Sequence, residues 1–134
     1  MCQTLINLFF SGVYKGVEVA VKTARREQGA DINIVKENVL REAKLFRLLS
    51  HSNIVSLIGL CLEEPNLCLL LEYCRGGSLS RVLCGRKLPP SIVVDWATKI
   101  ANGMHYLHSE APINLLHRDL KSSNGKYINA LAAE

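Results

Sequence analysis

A cysteine framework is the first thing this sequence lacks. Its five cysteines, Cys2, Cys61, Cys68, Cys74 and Cys84, are odd in number, and no two stand in a C-x-x-C pair. That usage suits a reducing cytosol better than a secretory route. Cys61, Cys68 and Cys74 fall in or beside apolar runs and read as small buried hydrophobes. Long apolar runs are missing too. The longest near the start, Leu5 to Phe10, is far below the roughly 20 residues that span a bilayer. It has no basic leader and no small-residue cleavage site, so it does not read as a signal peptide. A strong charge of either sign is also absent. The net charge of +4 is mild and evenly spread, which argues against a nucleic-acid partner. No internal repeat or low-complexity segment interrupts the chain. What remains is ordinary for a soluble globular chain: 49% hydrophobic and 21% charged residues over 134 positions, room for one domain at most.

Along the chain, Val17-Glu18-Val19-Ala20-Val21-Lys22 alternates and is β-branched, the pattern of a strand. Val13-Tyr14 offers a partner strand across a tight Lys15-Gly16 turn, although 13 to 19 is a short stretch for two strands and a turn. Gln28 to Asp31 reads as a loop, and a helix is expected from about Asp31 to Leu49. On that helix Val35, Val39, Glu42, Phe46 and Leu49 step by 4, 3, 4 and 3 and share one face. Four are apolar. The fifth is a carboxylate, which must find a cation or reach water, because an unpaired buried charge costs several kcal/mol, by order of magnitude. Strands are expected over Ile54–Leu62 and Leu67–Tyr73, with Glu63-Glu64-Pro65-Asn66 turning between them. Arg75-Gly76-Gly77-Ser78 breaks the second strand, and Ser78 can cap a short helix through Leu83. After the linker Gly85–Pro90, Ser91 is expected to cap a longer helix to about Ser109. Its apolar stripe is Val93, Trp96, Ile100, Gly103 and Leu107. Strands, one helix, two strands and then helices give an α+β class: a small antiparallel sheet with one packed helix, followed by the start of a helical region.

Chemistry concentrates in His117-Arg118-Asp119-Leu120-Lys121-Ser122-Ser123-Asn124. This run resembles the catalytic loop of protein kinases, H-R-D-L-K-x-x-N, at six of eight positions. Such a loop needs a carboxylate to orient and deprotonate an attacking hydroxyl, a lysine to neutralise charge on the moving phosphoryl group, and an amide oxygen for a metal ion. The resemblance implies that Asp119 is the catalytic base, Lys121 the phosphate contact and Asn124 a magnesium ligand. Val19-Ala20-Val21-Lys22 is similar to the kinase V-A-I-K strand, whose lysine holds the α- and β-phosphates of ATP. Glu42, twenty residues later on the inward helix face, is then the partner of Lys22. Leu69-Leu70-Leu71-Glu72-Tyr73-Cys74-Arg75-Gly76-Gly77 looks like the kinase hinge. By the same resemblance Leu71 gates the back pocket, backbone groups of Glu72 and Cys74 hydrogen-bond adenine, Ala20 lies over the ring, and Gly77 leaves room for ribose.

Further segments resemble the mixed-lineage kinases in particular: Arg41 to Phe46 in the helix, Glu64 to Leu69 in the turn, Arg75 to Leu83 at the hinge exit, and Gly103 to His108 in the long helix. The resemblance covers about Val19 to Asn124. It implies a protein-kinase-like upper lobe with the first helices of the lower lobe. It also implies ATP and Mg2+ as cofactors and a cytoplasmic MAP kinase kinase kinase of a stress-activated cascade. Its protein substrates would be MAP kinase kinases. Lys121 favours serine/threonine over tyrosine substrates.

The sequence also departs from the kinase pattern. Of the glycine-rich loop only Ser11-Gly12-Val13-Tyr14 stands before the strand. After Asn124 come Gly125 to Glu134, without D-F-G, activation segment or A-P-E. The expected organisation is therefore a divergent segment 1–12, a partial kinase domain 13–124 and a divergent tail 125–134. This chain by itself is expected to be inactive. The alternative reading is a non-catalytic truncated isoform that binds nucleotide weakly or sequesters kinase partners and chaperones through an exposed apolar helix.

Overall fold

A computed structural model describes residues 8–24, 29–85 and 87–127. The chain divides into two compact units, 1–49 with 55–73 and 50–54 with 74–134.

The first unit is built on a four-stranded antiparallel sheet. Strand β1 (Leu8–Tyr14) pairs along its whole length with β2 (Val17–Thr23). The turn between them is only Lys15-Gly16, at φ 49° and 80°. Positive φ at both central residues gives the primed turn whose twist matches paired strands, and glycine adopts it without a Cβ penalty. The stretch that looked short for a strand pair therefore forms a regular hairpin of seven residues on each side. Leu8 to Gly12 of the divergent N-terminal segment lie in its first strand.

Strand β4 (Cys68–Glu72) lies between β2 and β3 (Leu57–Cys61). Its central place explains its nearly unbroken apolar sequence. A register shift between Leu57 and Gly59 marks a bulge in the edge strand β3. Helix α1 (Ile32–Arg47) begins where the Asp31 carboxylate accepts a hydrogen bond from Asn33 N–H. Of its expected stripe, Val35 and Val39 are buried in the core and Phe46 partly buried against it; Ala43, outside that stripe, joins them with Leu67, Leu69 and Leu71, and Ala20 and Leu57 are partly buried alongside.

In the second unit, two-residue strands β5 (Gly77–Ser78) and β6 (Lys126–Tyr127) pair with each other. Ser78 Oγ accepts a hydrogen bond from Arg81 N–H at 3.4 Å, capping α2 (Leu79–Gly85) as expected. Helix α3 (Pro90–His105) starts differently from the sequence reading. Pro89 is its cap residue, Pro90 its first residue, and no side chain caps it. Ser91 is already inside the helix. Proline at the first helical position is favoured because its ring presets φ and its missing N–H would have had no partner there. The helix runs into one π-helical turn, Tyr106–Glu110, closed by Ala111 N–H donating to Tyr106 O at 2.8 Å.

Residues 50–54 pack on this end of α3. Tyr106 stacks on His51 with ring centres 4.9 Å apart, and its hydroxyl accepts a hydrogen bond from Ser50 N–H at 2.9 Å. Of the expected stripe, Trp96, Gly103 and Leu107 are buried, whereas Val93 and Ile100 are exposed. No helix among the described residues is long and apolar enough to cross a membrane.

Candidate active site

In the first unit, the strand–helix contact positions one group of candidate residues. Alternation along β2 turns Ala20 and Lys22 to the same face. Register pairs them with Leu71 and Leu69 of β4, two residues of the core. Lys22 Nζ reaches over this apolar floor and donates to Glu42 Oε1 on α1. The Lys22 side chain is 16% exposed and that of Glu42 37%. Glu42 thus sits on the helix stripe at the edge of the core, and a cation meets it there. The pair fixes an ammonium group at the end of an apolar surface, a place that suits a phosphate rather than water alone.

Leu71 is buried in the core and Glu72 ends β4. Glu72 N–H donates to Ser56 O at 2.9 Å, and its carboxylate accepts from Ser56 N–H at 3.3 Å. Any ligand contact by the Glu72 backbone therefore falls to its carbonyl oxygen. In the second unit, Cys74 is buried and its carbonyl accepts from Gly77 N–H at 3.0 Å. Gly77 has φ 74°, and a Cβ there would meet only Arg81 Cδ, at 3.9 Å. Backbone conformation, rather than lack of space, is what requires glycine at 77.

The second unit also assembles the loop after α3. Asp119 is held from two sides: Lys121 Nζ lies 3.0 Å from its Oδ1, and Asn124 Nδ2 donates to its Oδ2 at 2.9 Å and its carbonyl at 3.0 Å. The Lys121 contact, followed by that of Asn124, holds the Asp119 carboxyl below the usual carboxylate range. The group is therefore ionised at neutral pH. With the Asn124 amide nitrogen turned to Asp119, its Oδ1 faces no donor among the described residues and suits a cation. No cluster of three or more His, Cys, Asp or Glu able to hold a metal occurs among those residues, so the part of a metal site that fits here is this single amide oxygen.

The loop is anchored by backbone. Asn124 N–H and Gly125 N–H both donate to Lys121 O, at 2.9 and 3.2 Å. Leu79 N–H donates to Gly125 O and Ser80 N–H to Ser122 O, at 2.8 and 3.0 Å, which satisfies the first amides of α2. Arg118 takes φ 57°, left-handed backbone that a non-glycine residue adopts at a cost of about 1–3 kcal/mol. Sequence reasoning had passed over His117. Its Nδ1 accepts a hydrogen bond from Asp119 N–H at 3.4 Å, which fixes the backbone that presents the carboxylate.

Residues 7–125 match the protein tyrosine and serine/threonine kinase family. The chain belongs to the protein kinase family. Over 86% of its length it is 54% identical to mitogen-activated protein kinase kinase kinase 11 of Homo sapiens, covering 14% of that protein. It is 51% identical over 91% of its length to mitogen-activated protein kinase kinase kinase 10 of Mus musculus, covering 13% of that protein. A mitogen-activated protein kinase kinase kinase of Drosophila melanogaster is 55% identical over 84% of the chain, which covers 10% of it. The kinase domain is thus of the mixed-lineage kind, as its motifs implied. The chain spans about a tenth to a seventh of the length of these relatives.

Proposed function

We propose that this chain carries the nucleotide-holding and catalytic-loop residues of a serine/threonine protein kinase domain, one that moves the γ-phosphoryl group of ATP to a protein hydroxyl. The observation that carries this reading is Asp119, ionised and held between Lys121 and Asn124. A carboxylate of depressed pKa is a weak base. It suits a phosphoryl transfer in which the hydroxyl needs orientation first and gives up its proton late. In this reading Asp119 accepts the hydrogen bond of the substrate hydroxyl and then its proton. Lys121, already 3.0 Å from that carboxylate, neutralises the phosphoryl oxygens. Lys22, positioned by Glu42, contacts the α- and β-phosphates. The Glu72 carbonyl and the Cys74 N–H bind the adenine edge, and Ala20 and Leu71 supply apolar cover. Bound Mg2+ would neutralise phosphate charge, and Asn124 Oδ1 would be its contact from this loop. The relatives' names support an upstream position in a kinase cascade, with MAP kinase kinases as protein substrates. The odd number of cysteines without a C-x-x-C pair supports a cytoplasmic setting.

A non-catalytic role toward kinase partners or chaperones is the second reading. It is favoured by Val93 and Val94 of α3, which are 45% and 64% exposed.

Thermal-shift titration with ATP, with and without magnesium, tests the proposal. A saturable rise in melting temperature that disappears in Lys22→Ala is expected. Equal shifts in both proteins would remove Lys22 from the nucleotide site.

A further inference from the structure

One pair of nucleophilic side chains has no part in this chemistry. Cys61 ends β3, Cys68 begins β4, and the two are direct partners in the antiparallel register. We propose that Cys61 and Cys68 form a reversible disulfide on exposure to hydrogen peroxide, making the β3–β4 hairpin a thiol-oxidation site. The inference is independent of the nucleotide site.

Geometry favours closure. Opposed residues of antiparallel strands have Cα atoms about 4.5–5.5 Å apart, inside the window of about 4.4–6.8 Å that a disulfide spans. Register partners also project to the same face, and Cys61 and Cys68 stand directly opposite each other across the β3–β4 pair. Closing the bond thus needs rotation of two side chains and no movement of either strand. Among the described residues of the first unit, Cys61 and Cys68 are the two cysteines.

The two residues differ in access, and this assigns their roles. Cys61 is half-buried, whereas Cys68 is 8% exposed. Burial, and then the neighbouring Cys61, pushes the Cys68 thiol up, which keeps it protonated and inert toward peroxide itself. Cys61 is therefore the residue that meets the oxidant. Its thiolate attacks one peroxide oxygen. The O–O bond breaks, an S–O bond forms, and the leaving hydroxide takes a proton to become water. The Cys68 sulfur then attacks the Cys61 sulfenic sulfur. The S–S bond forms, the S–O bond breaks, and the departing hydroxide takes the Cys68 proton as a second water. Two thiols have lost one electron each, and one peroxide has gained two. A partner at contact distance also diverts Cys61 from further oxidation to sulfinic acid.

The test uses the full chain carrying Cys2→Ser and Cys84→Ser, treated with hydrogen peroxide and then alkylated in denaturant. The expected product has lost two hydrogens, has two fewer alkylated cysteines, and yields a peptide joining Cys61 to Cys68 that dithiothreitol separates. Adding Cys68→Ser should leave Cys61 as a sulfenic acid captured by dimedone, and adding Cys61→Ser should abolish both products. Full alkylation of Cys61 and Cys68 after peroxide, oxygen addition without a crosslink, or crosslinks only between chains would each overturn the proposal. Peptide mapping of the unsubstituted chain gives the same reading should any variant fail to fold.

Discussion

Asp119 shows how two neighbours set the working state of one side chain. Lys121 is the larger cause of its depressed pKa and Asn124 the smaller. Lys121→Ala should therefore raise the carboxyl midpoint toward the usual aspartate value, and more than Asn124→Ala does, as read by carbon NMR of the carboxyl group against pH. The sign for stability follows. A carboxyl depressed in the folded state contributes above its unfolded pKa, and the contribution is lost as pH falls through the folded value. Any acid weakening from Asp119 thus lies on the acid side of the ordinary aspartate range. Glu42→Gln should cost about 1 kcal/mol or less in urea melts, since the Lys22–Glu42 pair is partly exposed. A larger loss would show that Lys22 becomes stranded without its partner. The need of Glu42 for a cation or for water was legible in the sequence, because it stands on an apolar stripe, and the resemblance of the V-A-V-K strand to the kinase strand supplied Lys22 as the partner. His117 was not legible as a backbone acceptor. Its contact to Asp119 N–H depends on the left-handed turn at Arg118, and side-chain pattern does not record backbone dihedrals.

Among the elements, α1 was the most readable: its start near Asp31 and the inward turn of Val35, Val39 and Phe46 follow from the spacing, whereas the capping role of Asp31 and the burial of Ala43 emerge only in the fold. Asp31→Ala should lower stability by about 1 kcal/mol through loss of the capping hydrogen bond, measurable by chemical denaturation with α1 amide exchange as a local check. Helix α3 was less readable at its start, where Ser91 looked like a cap and Pro90 took the first helical position instead. The hairpin β1–β2 was underestimated because Leu5 to Phe10 carries no kinase-like glycines, whereas strand pairing requires only extended backbone and a permissive turn. Gly103 was visible in the sequence as a stripe member, but not the reason for it. A Cβ there would stand 3.2 Å from Asn53 O and 3.3 Å from Ile54 Cδ1. Gly103→Ala should therefore destabilise the second unit by about 1–3 kcal/mol, despite alanine's better helix propensity. A neutral or stabilising result would mean that the 50–54 segment yields easily.

For the molecule as a whole, the distribution of apolar surface is the main feature. Phe9, Phe10, Val13 and Val17 on the β1–β2 hairpin are 55–73% exposed, and α3 adds Val93, Val94 and Ile100. Exposed apolar patches of this kind promote association or capture of a partner. The chain should enhance the fluorescence of an apolar dye and sediment faster as its concentration rises. A dye-silent, concentration-independent monomer would show that these side chains do not act as a patch. Composition did not reveal this, because 49% hydrophobic content is ordinary and says nothing about which half of it is covered.

The π-helical turn at Tyr106–Glu110 has a consequence for chain length. Consecutive residues of an α-helix diverge by about 100°, yet Tyr106 and Leu107 are both buried, at 8% and 6% exposure. The wider turn accommodates what amounts to one extra residue. Deleting a single residue at 108–110 would restore an unbroken α-helix and rotate everything downstream relative to the Tyr106–His51 stack. The loop carrying Asp119 would then leave the helix on a different side, so its aim depends on a residue count as much as on residue type.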